Sequence, residues 1–124
     1  MPKNHTSVQP VLVLDLDGTV RRSRQGAVDR PGGDAGPPIT PGDVELYPGV
    51  EDAIWGYARA HGCYVIGITN QGWVGKGRMT PAESEAIQIA TARQFDRNPF
   101  EMILAAYAYP DASGLSTFYN RRSL

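Results

Sequence analysis

The sequence predicts an α/β fold, a Rossmann-like core in three layers around a parallel sheet. Three observations carry that prediction. Apolar runs at residues 11–16, 64–69 and 102–107 show little polar alternation, as strands covered on both faces do. A helical period fills 50–61, and a helix-start signal precedes the stretch 80–95. The order strand, helix, strand, helix, strand is that of right-handed β-α-β units.

Each element has its own justification. Residues 1–10, MPKNHTSVQP, are a polar lead-in without the apolar core of a secretory leader. Residues 11–124 are expected to form one domain. Val11 to Leu16 is the first strand. Residues 21–48 follow as a long Pro/Gly-rich connection, of a length that is unusual inside a compact domain unless it is functional or mobile. Val50, Ala53, Ile54, Tyr57 and Ala58 share one face of a helix over 50–61, and Gly62 stands where a helix ends in a left-handed residue. "YVIGIT", 64–69, is the second strand. After the Gly-containing loop "NQGWVGKGRM", Thr80, Pro81 and Glu83 form a capping box with proline at the first helical position. The helix they start is expected over 80–95 with Ala82, Ala86, Ile89 and Ala90 inward. Residues 102–107 make a third strand, and 108–124 show no clear period.

Composition narrows the function classes. The 124 residues are 41% hydrophobic and 20% charged, with a formal net charge of −1. Bulk electrostatics therefore gives no reason to expect binding to nucleic acid or an anionic membrane. The single cysteine, Cys63, rules out an intrachain disulfide and fits a reducing compartment, so a cytoplasmic location is expected. Cys63 itself reads as a buried, inert thiol. No apolar run approaches the roughly 20 residues of a membrane span.

The chemistry sits at strand ends, where open parallel sheets bind ligands. In "VLVLDLDGTV" the aspartates Asp15 and Asp17 close the first strand, and strand alternation points them the same way. Two carboxylates on one edge repel unless a cation or shared proton relieves them. Oxygen ligands of this kind suit Mg²⁺, which takes one or two carboxylates and completes its shell with water and phosphate. Gly18 permits a sharp turn behind them. Thr69 and Asn70 end the neighbouring strand.

"DLDGTV" resembles the first motif of the haloacid dehalogenase (HAD) superfamily of phosphohydrolases. The stretch "ELYPGVEDAIWGYARAHGCYVIGITNQGWVGKGRMT" is similar to its branch containing histidinol phosphatase, heptose bisphosphate phosphatase and the polynucleotide 3′-phosphatases. The resemblance implies a HAD core and Mg²⁺-dependent hydrolysis of a small phosphorylated substrate, with a nucleic-acid 3′ end as the alternative. It makes Asp15 the nucleophile of an aspartyl-phosphate and Asp17 the general acid and base. Mg²⁺ falls to the Asp15 carboxylate and the Asp17 main-chain carbonyl, and the phosphoryl group to Thr69 and Asn70. Lys76 stands where relatives often carry a basic residue; it is either a substrate contact or an exposed loop lysine. Arg21, Arg22 and Arg24 read as solvated loop charge, with a second phosphate or a nucleic-acid end as the other reading. His5 and His61 are not catalytic candidates.

The pattern also departs from the family. "AAYAYPDASGLSTFYNRRSL" has no Cys or His, so the zinc loop of the heptose bisphosphate branch is not expected. Past Gly77 there is no lysine, and Asp111 is the only acid after Glu101. The family's third motif, a lysine, and its fourth, an acidic pair, are thus missing. The expectation is either a piece of a longer phosphatase or a short chain that binds phosphate without catalysis.

Overall fold

The computed structural model describes residues 8–24, 37–107, 116–120 and 124. Most of the lead-in, His5, the middle of the Pro/Gly-rich stretch and Asp111 lie outside these residues. Strand β1 (Val11–Asp15) pairs in parallel with β4 (Tyr64–Asn70), and β4 pairs in parallel with β5 (Phe100–Ala106). The predicted α/β architecture is therefore present. Between β1 and β4 lies helix α1 (Val50–His61), and between β4 and β5 lie the single turn α2 (Gly72–Gly75) and helix α3 (Pro81–Gln94).

Two regions read as irregular contain strands. Residues 21–48 hold β2 (Arg21–Ser23) and β3 (Val44–Leu46), an antiparallel pair, with a 3-10 turn at Pro41–Asp43 leading directly into β3. Three-residue strands are too short to show a period. This pair is held by tertiary partners: Arg22 Nε meets Glu45 Oε1 at 2.8 Å, and the buried Asp43 carboxylate accepts from Ser23 Oγ at 2.5 Å. At the far edge, β6 (Ser116–Asn120) adds an antiparallel strand beside β5, so the four-stranded sheet is mixed, in the order β1-β4-β5-β6.

The core lies on one face of the sheet. Leu16, Val20, Val65, Phe100 and Ile103 pack there with Ile54 and Ala58 of α1 and with Phe95 just past α3. Gly67 of β4 allows this close approach: a β-carbon there would stand 2.9 Å from Leu16 Cδ2 and 3.2 Å from Phe100. Only Ile54 and Ala58 of the predicted α1 stripe are buried, while Val50, Ala53 and Tyr57 border an apolar groove beside β1. Glu51 accepts from the Asp96 and Arg97 amides at 3.0 Å each, tying α1 to the turn before β5.

Helix α3 corrects its predicted orientation. Ala82 is exposed, and Ala86, Ile89 and Ala90 are half-buried. The buried residues are Ser84, Ile87, Gln88, Thr91 and Ala92, and Ile87 packs with Val44 of β3 and Met79. That buried face is half polar because it packs on a charged side chain, Arg21. The second sheet face is not covered by described elements. Val11, Val13, Tyr64, Ile68 and Leu104 are exposed along it, against the expectation that apolar strands are covered on both sides. Cys63 is half-buried, not buried as predicted. No helix among the described residues is long and apolar enough to cross a membrane.

Candidate active site

Strand β1 stops at Asp15, and the chain then curls. The amides of Thr19, Val20 and Arg21 all point back at the Leu16 carbonyl, at 3.2, 2.9 and 3.0 Å, and Gly18 takes φ +81° inside the turn. A left-handed residue is needed there, and glycine adopts that conformation without a side-chain clash. Leu16 drops into the core, fully buried. Beyond Asp15, strand alternation no longer decides where side chains go.

The two aspartates consequently meet different surroundings. Asp15 is exposed and lines a cleft of about 300 Å³ with Ile68, Thr69, Asn70, Leu104 and Ala106, at the carboxyl ends of β1, β4 and β5. Asp17 is held. Its Oδ1 accepts from Arg21 Nε at 2.9 Å, and its Oδ2 accepts from the Thr69 hydroxyl at 2.5 Å. Register explains why Thr69 is in reach: Asp15 pairs with Ile68, so the next residues of both chains emerge side by side.

Thr69 is the junction of the site. Its side chain is buried, and its Oγ1 accepts from Gln71 Nε2 at 2.8 Å and from Arg21 Nη2 at 3.3 Å while it donates to Asp17. Asn70 is exposed and borders both the Asp15 cleft and a smaller one, about 40 Å³, lined by Pro37, Pro38, Ile39, Gln71, Trp73 and Met79. Lys76 follows α2 on an exposed turn, its amide donating to the Gly72 carbonyl at 2.9 Å. The structure thus brings Asp15, Asp17, Thr69 and Asn70 to one sheet edge and puts Lys76 on the loop beyond it.

Sequence reasoning missed Arg21, Gln71, Gln88 and Thr91. Arg21 had been assigned to solvated loop charge, yet it is fully buried. One signal could have found it: Ser84, Gln88 and Thr91 place a polar stripe on a helix face that also carries Ile87. A larger hollow, about 580 Å³, lies against the outer side of α3 between Pro41 and Arg93. Its lining of Pro41, Ala86, Ile89, Ala90, Arg93 and Gln94 offers neither a carboxylate nor a nucleophile, so the smaller cleft at Asp15 is the chemical one.

The donor set at the edge suits a hard cation. Asp15 offers carboxylate oxygens to an open cleft, and Mg²⁺ needs only one or two carboxylates when water and phosphate fill the remaining positions. Among the described residues no three His, Cys, Asp or Glu side chains converge. A cation here would therefore depend on the substrate's own oxygens.

No protein-family model matches this chain, and no curated protein does. Solved structures do. It is similar to D,D-heptose 1,7-bisphosphate phosphatase from B. bronchiseptica, a structure complexed with magnesium and phosphate, with TM-score 0.63 and 22% identity. The match covers 85% of this chain and 54% of that one. It is also similar to a protein from Mesorhizobium loti assigned to the HAD-like phosphatases, with TM-score 0.65 and 22% identity over 86% of this chain and 46% of that one. The chain thus spans about half the length of these two proteins. Its fold, the parallel strands β1, β4 and β5 joined through α1 and α3, is shared with these two phosphatase structures.

Proposed function

We propose that this chain carries a Mg²⁺-dependent phosphomonoester hydrolase site of the HAD type, acting on a small phosphorylated metabolite through an aspartyl-phosphate on Asp15. One observation carries the reading. Asp15 is exposed in a cleft shared with Thr69 and Asn70, while Asp17 beside it is fixed by Thr69 and Arg21. A free carboxylate next to an anchored one matches the division between a nucleophile and a proton-transfer group.

An Asp15 carboxylate oxygen attacks phosphorus as the bond to the leaving oxygen breaks. Asp17 gives that oxygen a proton, then takes one from the water that releases phosphate. Thr69 donates its hydroxyl proton to a phosphoryl oxygen, and Asn70 faces the rest of the substrate. The Asp15 carboxylate and the Asp17 main-chain carbonyl are the groups that would hold Mg²⁺, which supplies positive charge between carboxylate and phosphate. A cytoplasmic location belongs to the same proposal, supported by the single cysteine.

No observation favours a polynucleotide end as substrate. Arg21 is buried, and Arg22 and Arg24 both face Glu45, at 2.8 and 3.9 Å. A phosphate-binding module without catalysis is separated from an enzyme by experiment. Release of 4-nitrophenol from 4-nitrophenyl phosphate should require Mg²⁺ and should disappear in Asp15→Asn. Turnover that survives Asp15→Asn would remove Asp15 from the chemistry. Phosphate binding without any turnover would leave a binding module.

A further inference from the structure

Arg21 is the largest side chain with no solvent exposure among the described residues. A buried charge is tolerated only when it is paired and hydrogen-bonded, and this one is bonded along its whole edge. Nε donates to Asp17 Oδ1 at 2.9 Å, Nη1 to Gln88 Oε1 and Thr91 Oγ1 at 2.7 Å each, and Nη2 to Thr69 Oγ1 at 3.3 Å. The acceptors are themselves fixed. The Thr91 hydroxyl donates to the Ile87 carbonyl at 2.8 Å, and Gln88 Nε2 lies 3.4 Å from Ser84 Oγ. Helix α3 therefore commits Gln88 and Thr91 of its buried face to one guanidinium, and that guanidinium holds Asp17.

Proton counting at Thr69 shows what this arrangement does. A threonine hydroxyl has one proton to give. Here that proton goes to Asp17 Oδ2, while Gln71 and Arg21 donate to the same oxygen. A phosphoryl oxygen that takes the Thr69 proton releases Asp17 Oδ2, and Oδ1 stays on Arg21. We propose, resting on the phosphohydrolase reading, that Arg21 is the positioning residue of the site. Anchored on α3 through Gln88 and Thr91, it keeps the Asp17 carboxyl in one orientation, so that the Oδ2 freed by substrate faces the leaving oxygen. Freed from Thr69, that oxygen takes up a proton as substrate binds, from the phosphate monoanion or from solvent, gives it to the leaving group as its bond to phosphorus breaks, and regains one from the attacking water. Lysine cannot replace this planar fork, because its compact ammonium does not reach four partners in fixed directions.

Leaving-group dependence tests it. Formation of the aspartyl-phosphate needs a proton donor when an alkoxide leaves and little help when 4-nitrophenolate leaves. The measurement is kcat/KM with Mg²⁺ for glycerol 2-phosphate and for 4-nitrophenyl phosphate, in the full chain and in Arg21→Lys. The alkyl-to-aryl ratio should fall by about tenfold or more in Arg21→Lys, general acids contributing about 10²–10⁴ in rate. Gln88→Met leaves Arg21, Asp17 and Thr69 in place and loosens only the anchor, so its ratio should fall in the same direction by less. This second variant keeps the test decisive should Arg21→Lys fail to fold. Equal losses on both substrates, or a Gln88→Met ratio equal to wild type, would mean that Arg21 only stabilises the fold. An active wild type with unchanged ratios sinks this inference alone. A wild type without Asp15-dependent turnover sinks the phosphohydrolase reading and the inference with it.

Discussion

The two faces of the sheet are built from similar residues and fare differently. On one face Leu16, Val65, Phe100 and Ile103 are all but inaccessible, and the polar groups among them are satisfied around Arg21. On the other face, along the cross-strand rows Val11–Tyr64, Val13–Ile66–Met102 and Asp15–Ile68–Leu104, Ile66 and Met102 are half-buried and the rest are exposed, Val13 at 54% and Leu104 at 39%. Hydrophobicity alone does not say which side of a strand is covered. The elements that arrive do, and among the described residues α1 and α3 both arrive on one side. Asp15 lies on the open side, and Asp17 is drawn towards α3.

The sharpest test of that difference uses adjacent residues of β5. Ile103→Ala removes a fully buried side chain from the centre of the core and should cost about 2–5 kcal/mol. Leu104→Ala, on the open face, should stay within about 0.5 kcal/mol, as surface substitutions usually do. Urea unfolding of both variants measures the gap. Comparable losses would show that the second face is covered as well, and the contrast would vanish.

Gly67 offers a smaller effect of a different kind. A methyl group there points into the packed face, with Leu16 Cδ2 at 2.9 Å and Ile103 Cγ1 at 3.3 Å. The nearest atom is a side-chain end, so the core can shift by a few tenths of an ångström instead of breaking. Overpacking of this sort costs about 1–3 kcal/mol. Gly67→Ala should therefore lower the midpoint of thermal unfolding. A variant as stable as the wild type would mean that the covered face is packed loosely.

What the sequence revealed follows from how far each signal reaches along the chain. Helix α1 was legible at both ends, because its period and the left-handed Gly62 (φ 62°) are local features. The strands β1 and β4 and the carboxyl-edge positions of Asp15, Thr69 and Asn70 were legible for the same reason. The β2–β3 pair was not, since its strands are three residues each and are joined across 21 positions at the Ser23–Val44 contact. Arg21 was hidden most completely. Its partners Gln88 and Thr91 lie 67 and 70 residues away, so nothing beside it in the chain distinguishes it from Arg22 or Arg24. The orientation of α3 was misread with it, because the helix turns its polar stripe inward only to meet that guanidinium.

The smallest expected effect sits at the other end of the same comparison, where α3 makes polar contacts in water and not in the core. Thr80 donates its amide to Glu83 Oε1 at 2.8 Å and accepts the Glu83 amide on Oγ1 at 3.1 Å, the reciprocal pair that the sequence announced. The Thr80 amide, and after it the Thr80 hydroxyl, hold the Glu83 carboxyl below its ordinary value of 4.5. A carboxyl whose value is lowered on folding binds fewer protons in the native state. Its stabilisation is thus complete above that ordinary value and is lost as pH falls through the native one. Glu83→Gln keeps a group able to accept from the Thr80 amide but removes the charge that favours a helix N-terminus. Wild type should therefore unfold at a slightly higher temperature than Glu83→Gln near neutral pH, and the gap should close as the carboxyl takes up its proton at acid pH. A gap that persists at acid pH once the carboxyl has taken up its proton would show that the difference comes from shape and not from charge. Either way the shift should be far smaller than that of Ile103→Ala, because both partners of this contact find water whenever it opens.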